Sequence, residues 1–198
     1  NMFYDFVILY EVPQRELESV ALISYELERR GYTCAVINAA FVNPSILRKQ
    51  YRNKVKVLIV ESLYGDGTIA NLVYRIFGKV PQIVNLRWEQ IYTNENEGNQ
   101  YYGGYPHERA TDAWHICWGG GIRKNLIKSG VKPAKAVMTG PVHMDFLRPE
   151  FSQFYLDKEH LFKLYGLAVD CTTVLFISSF SYTDISSYQK SVISRQLR

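Results

Sequence analysis

The sequence predicts an α/β protein: a mostly parallel sheet with helices on both faces, followed by the start of a second domain. Three observations carry that prediction. Six short apolar runs alternate with helical stretches between Phe6 and Met138. The first run, Phe6-Val7-Ile8-Leu9-Tyr10, is apolar without a break, the mark of a strand covered on both faces. The last run, Ala136-Val137-Met138, is stopped at once by Gly140-Pro141, because Gly permits unusual backbone angles and Pro lacks a ladder N–H. Strand-then-helix units precede that turn; a charged, aromatic connector and a new apolar run follow it. Residues 1–149 are therefore read as one domain and 150–198 as a linker with the opening of another.

Residues 6–10 form the first strand. Pro13 begins the next segment, Leu17, Val20, Ala21 and Leu27 recur at helical spacing, and Gly31 closes the helix. Residues 33–39 form the second strand. Asn43-Pro44 starts a short basic helix, with Asn as cap and Pro in the first turn. Residues 55–61 are the third strand. Gly65-Asp66-Gly67 turns into an amphipathic helix with Ile69, Leu72, Val73, Ile76 and Phe77 on one face, closed by Gly78. Residues 82–86 and 114–118 are the fourth and fifth strands. Between them, residues 87–113 are polar and aromatic without periodicity, and so long a loop in a compact domain is functional or mobile. Gly119-Gly120-Gly121 opens a helix that ends at Gly130, and residues 136–138 are the sixth strand. Further on, a helix at 158–165, a strand at 173–178 and a last helix capped by Asp184 are expected. One strand and one helix cannot bury their own apolar faces, so this tail reads as the front of a second domain cut short.

The composition is globular, 47% hydrophobic and 21% charged. No apolar run approaches the roughly 20 residues that span a bilayer, and no signal peptide opens the chain. Asn1 ahead of Met2 reads as an addition to a natural start at Met2. A net charge of +4 is too small to argue for nucleic acid. Cys34, Cys117 and Cys171 lack metal-ligand spacing and lie in or beside apolar runs. An odd number of buried thiols is the expectation, and with it a reducing, cytoplasmic setting.

Open parallel sheets bind ligands outside the carboxyl ends of their strands. Glu11-Val12-Pro13-Gln14 after the first strand carries no G-x-G-x-x-G, which counts against a dinucleotide fold, and no Walker A motif occurs. After the third strand, Glu61 and Asp66 are candidates to bind hydroxyls, though Asp66 equally suits a helix start. After the fourth come Arg87, Trp88, Glu89 and Gln90, then a run of tyrosines and carboxylates that includes Tyr105, His107, Glu108 and Arg109. Rings stack on sugar faces while acids and amides take the hydroxyls, and a carboxylate or His there can activate an acceptor hydroxyl. Gly119, Gly120 and Gly121, followed by Arg123, expose backbone N–H groups at a helix start and form a candidate anion site; the glycines equally suit a helix crossing close to the sheet. Arg48, Lys49, Arg52, Lys54 and Lys56 form a basic cluster, either a solvated face or a contact with an anionic membrane surface or lipid phosphate. His115 and Cys117 share a strand face but are too few for a metal site.

Thr139-Gly140-Pro141-Val142-His143-Met144-Asp145 resembles the interdomain crossing of GT-B glycosyltransferases. The wider stretch, from Leu86-Arg87-Trp88-Glu89-Gln90 through the three glycines to Phe176-Ile177-Ser178-Ser179-Phe180-Ser181, resembles bacterial capsule or lipopolysaccharide biosynthesis proteins. Gly-Pro crossings also occur in nucleotide-sugar epimerases and teichoic-acid-type transferases. The resemblance implies two Rossmann-like domains facing a cleft, the first holding a glycan or lipid-linked acceptor and the second a nucleotide-sugar donor. It implies an enzyme of surface-polysaccharide synthesis; with the reducing setting read from the cysteines and the basic cluster, the expected place is the cytoplasm, at the inner face of the membrane. No metal or other cofactor is required, because helix dipoles and basic side chains can stabilise the departing diphosphate. Glu89 and His107 are the first candidates near the reacting hydroxyl. Glu61, Asp66, Arg87, Trp88, the glycines and Arg123 are candidates for substrate binding, and Ser178, Ser179 and Ser181 match by position a loop approaching donor phosphates. The rivals are a non-catalytic glycan- or phosphate-binding α/β module and a nucleotide-sugar epimerase or teichoic-acid-type transferase of the same architecture.

Overall fold

The computed structural model describes residues 3–90 and 105–175. The chain divides into two compact units, Asn1–Ser152 and Gln153–Arg198. The first is a Rossmann-like α/β unit built on one open, all-parallel sheet. Its strands are β1 (Tyr4–Tyr10), β2 (Cys34–Asn38), β3 (Val55–Val60), β4 (Gln82–Asn85), β5 (Trp114–Cys117) and β6 (Ala136–Met138). They lie in the order β2-β1-β3-β4-β5-β6, so the chain reverses its direction across the sheet between β1 and β3. Val7 pairs with Ala35 on one side and Leu58 on the other, which fixes β1 at that reversal. The β4–β5 ladder is short, with Val84 opposite Trp114 and Asn85 opposite His115.

Local chemistry sets the helices. α1 (Pro13–Arg29) starts at Pro13 behind Val12, whose side chain cannot cap it. Glu16, one turn in, reaches back instead and accepts the backbone N–H of Glu11 at 2.7 Å and of Val12 at 3.3 Å. α2 (Pro44–Tyr51) is capped as its sequence predicts, Asn43 Oδ1 accepting Ser45 N–H at 2.8 Å. α3 begins as a single α-turn, Asp66–Thr68, and continues as a π-helix over Ile69–Phe77 rather than the α-helix expected there. Its wider winding still buries Ile69, Val73, Ile76 and Phe77. α3 ends at Gly78, where φ is +74°; Gly78 faces Asn53, itself at φ +57°, and a side chain at Gly78 would collide with Asn53 Oδ1. α4 (Gly120–Lys128) follows β5, and 3-10 turns cover Glu108–Asp112 and Val142–Leu147.

The sheet is covered on both faces. On one, Val7, Leu9, Leu58 and Val60 pack against Leu47 and Tyr51 of α2, Val73 and Phe77 of α3, and Ala110. On the other, Ile8, Ile59 and Leu86 meet Val20 of α1 and the Trp88 ring, with Val142 packed alongside. That alternation explains the unbroken apolar run in β1: Val7, Ile8 and Leu9 are all fully buried. Among the described residues no helix is long and apolar enough to cross a membrane.

In the second unit, Asp157 caps α5 (Lys158–Leu164), its Oδ1 accepting His160 N–H at 2.9 Å. None of its described residues is buried. Residues 173–175 are irregular backbone rather than the start of the expected strand, and the remainder of that strand and the helix capped by Asp184 lie outside the described residues. The expectation of buried thiols holds for Cys117 but not for Cys171, which is exposed; Cys34 is half-buried. Cys171 follows α5 in a stretch whose described residues are all exposed, so its apolar neighbours in sequence do not shield it.

Candidate functional site

The carboxyl ends of β1 and β3 meet at the reversal of the strand order, the usual ligand position in open parallel sheets. Acidic groups gather there. Glu16 is fully buried yet well satisfied, accepting two backbone N–H groups and the Arg15 guanidinium, whose Nε lies 2.9 Å away. Arg15 also pairs with Glu89, so the guanidinium bridges the start of α1 to the end of β4. Glu61, the residue after β3, is half-buried and accepts the Ser62 N–H. Burial pushes its carboxyl up; the Ser62 N–H opposes this, and the carboxylates of Glu11 and Glu16 add to the rise. A carboxyl raised this way can hold or accept a proton nearer neutral pH than an exposed one.

The end of β4 is held by a buried polar network. Asn85 Oδ1 accepts Arg87 N–H at 3.2 Å, and its amide nitrogen lies 3.2 Å from His115 Nδ1. His115 Nε2 lies 2.9 Å from Ala110 O. Nε2 must carry the proton, because a carbonyl can only accept; Nδ1 then accepts from Asn85. Burial lowers the His115 pKa, the Ala110 carbonyl opposes that, and the charges of Arg87 and Lys135 lower it further. Arg87 is buried, sits at φ +46°, and places its guanidinium 5.0 Å from the centre of the Tyr105 ring. Glu108 is also left-handed, at φ +53°. Left-handed backbone in such residues costs about 1 kcal/mol or more and concentrates at functional loops. Gln90 ties β4 to β5: its amide donates to Ile116 O at 2.8 Å and Arg87 O at 3.0 Å, while its oxygen accepts Trp118 N–H at 2.8 Å.

Beyond β5, Gly119 precedes α4 in extended backbone, φ −160°. A Cβ at Gly119, Gly120 or Gly121 would meet nothing within 4 Å. Close packing of helix on sheet is therefore not what these glycines serve, and the first turn of α4 has open space at its side-chain positions. Trp118 beside them packs edge-on against His143, ring centres 5.0 Å apart.

The structure sorts the residues expected from sequence. Glu61 lies at the reversal point, just past the end of β3. Trp88 is a core residue, its indole N–H buried with no hydrogen-bond acceptor among the described residues. Glu89 is exposed on the α1 side, paired with Arg15. His107 is exposed over Gly65, on the side of Asp66 and Glu108, its Nε2 3.8 Å from Glu108 Oε2. The two first candidates for the reacting centre thus have different neighbours. Asp66 is engaged by Arg109, whose Nε is 3.0 Å from both carboxylate oxygens and holds the carboxyl below its ordinary range. Arg123 turns away from the glycines and donates to Ala136 O at 3.0 Å and Pro133 O at 3.2 Å. Ser178, Ser179 and Ser181 lie outside the described residues, as do residues 91–104 of the aromatic loop. The sequence reading passed over Arg15 and Glu16; the signal was a Glu one turn into a helix whose cap position is Val. It also passed over the Asn85–His115 pair, for which thirty positions of separation leave no local signal. Among the described residues no group of His, Cys, Asp and Glu could hold a metal ion. No family model matches the chain, and no curated protein or solved structure matches it.

Proposed function

We propose that this chain is the acceptor-side part of a nucleotide-sugar-dependent glycosyltransferase that builds a bacterial surface polysaccharide. The observation that carries the reading is Glu61, a half-buried carboxyl with a raised pKa at the reversal point of an open parallel sheet. In this reading Glu61 takes the proton of the acceptor hydroxyl as its oxygen bonds to the anomeric carbon. The bond from that carbon to the nucleotide diphosphate breaks, and the diphosphate leaves with the electron pair. A general base of this kind is worth roughly 100- to 10,000-fold in rate. The resemblance of residues 139–145 to a GT-B crossing supplies the reaction class, by analogy.

The test is release of nucleotide diphosphate from sugar donors by the full-length protein, with and without glycan acceptors. Glu61→Gln should lower acceptor-dependent release by roughly 100-fold or more. Glu89→Ala and His107→Ala in the same assay rank the two other candidates. Normal turnover in Glu61→Gln refutes its role, and normal turnover in all three removes the site. A second reading, a module that binds a phosphorylated glycan without reacting, is favoured by the open glycine turn before α4. Saturable binding of a sugar phosphate with no diphosphate release from any donor selects it.

A further inference from the structure

Long acid-free stretches of the first unit fall on one face of the sheet. α1 carries Glu16, Glu18, Glu26 and Glu28. No Asp or Glu then occurs until Glu61, and none between Asp66 and Glu89. Those two acid-free stretches build α2 and most of α3, which pack against each other on the face opposite α1. Their solvent side carries Arg48 and Lys49 on α2, Arg75 on α3 and Lys79 just after it, all exposed. Apolar side chains are exposed beside α2 and on it: Phe41, in the turn before α2, is 81% exposed and Ile46 58%. Leu47 and Tyr51 fill the buried side of α2, which leaves Ile46 and Lys49, three apart, adjacent on the outer side. The structure also trims the basic cluster read from sequence. Lys56 is bound to Asp5 at 2.6 Å, and Arg52 donates to Tyr74 O and Arg75 O.

We propose that Phe41 and the outer face of α2 form a docking surface for a bilayer rich in anionic lipid. Phe41 and Ile46 enter the boundary between headgroups and acyl chains, and Arg48, Lys49, Arg75 and Lys79 face the lipid phosphates. The apolar pair favours lipid over nucleic acid: Phe41 can stack on a base, but the aliphatic Ile46 gains nothing from bases or phosphates, whereas an interface buries both. Phe41 follows β2 at the carboxyl end of the sheet and Lys79 precedes β4 at the amino end, so the outer side of α2 and α3, not one end of the sheet, meets the membrane. The proposal stands apart from sugar transfer; a chain that turns over no donor still binds vesicles.

The test is flotation of the 198-residue chain with vesicles of phosphatidylcholine alone and of phosphatidylcholine and phosphatidylglycerol in a two-to-one ratio. Binding should favour the anionic vesicles and fall with added salt. Arg48→Ala with Lys49→Ala should weaken partitioning about 30-fold, two charges at roughly 1 kcal/mol each. Phe41→Ser with Ile46→Ser should weaken it at least tenfold, at low and high salt alike. Arg29→Ala with Arg30→Ala, which removes the same charge from α1, should leave it unchanged. All substitutions are at exposed positions, and unchanged thermal melts show that each variant is folded. No binding to anionic vesicles, equal binding to both vesicles, or indifference to either α2-side pair overturns the proposal. So does tighter binding of a mixed-sequence oligonucleotide that needs Arg48 and Lys49 but not Phe41 and Ile46, since that makes the surface a nucleic-acid site.

Discussion

His115 should make the stability of this protein fall as pH drops below neutral. It is 1% exposed, with its proton on Nε2 toward Ala110 O and Nδ1 facing the Asn85 amide. Adding a proton to Nδ1 would put N–H against N–H inside the sheet layer. The native pKa is accordingly lowered from 6.5, and the unfolded chain keeps the ordinary value. Below 6.5 the unfolded state therefore binds a proton that the native state refuses, and the equilibrium moves toward unfolding. One unit below 6.5 this residue alone can shift the folding equilibrium by at most about tenfold. Other shifted groups do not mimic it. Asp5, hydrogen-bonded to Lys56 and Thr33, and Glu26, held by Arg29 and Arg30, are both lowered to about 2 and titrate far below this window. Glu61 has the opposite sign: its raised native pKa gives stability that is lost as pH rises through that value. Urea unfolding at about pH 7.5 and about pH 5.5, for wild type and His115→Gln, isolates the effect. The variant should be less stable by about 1–3 kcal/mol at the higher pH, because Ala110 O or the Asn85 amide loses its partner. It should also lose the pH-dependent increment. An identical pH dependence in the two proteins would refute the buried neutral imidazole.

Gln90→Ala, which removes the amide that bridges Ile116 O, Arg87 O and Trp118 N–H, should cost about 2–3 kcal/mol in urea unfolding and speed hydrogen exchange at Trp118. Gly78→Ala should cost about 1–3 kcal/mol, since φ is +74° and the added Cβ meets Asn53 Oδ1; Asn53→Gly in the same chain should return part of that loss. Gly120→Ala and Gly121→Ala, with open space ahead and no left-handed backbone, should leave stability unchanged or raise it by about 0.5 kcal/mol. If the open turn binds phosphate, the same two variants weaken sugar-phosphate binding by titration calorimetry while melting at or above the wild-type temperature.

Much of the architecture was legible because its causes are local. Strand cores follow from unbroken apolar runs, the start of α2 from Asn43-Pro44, and the ends of α1 and α3 from Gly31 and Gly78, both at positive φ. Each of these needs only a few neighbouring residues to act. The site was less legible because the sequence offers several carboxylates of one chemical kind. Glu61 and Glu89 each follow a strand, and only strand order separates them. Placing β3 beside β1 brings Glu61 near Glu11 and Glu16 and away from water, whereas Glu89 turns out to Arg15. The same holds for His115, a lone histidine in an apolar run until β5 pairs with β4 and sets Asn85 against it. Sequence by itself determined the alternation of strand and helix, the caps and turns, and the acid-free character of α2 and most of α3. The tertiary structure alone decided which charges are buried, which are paired and which face water, because burial depends on contacts between segments far apart in the chain.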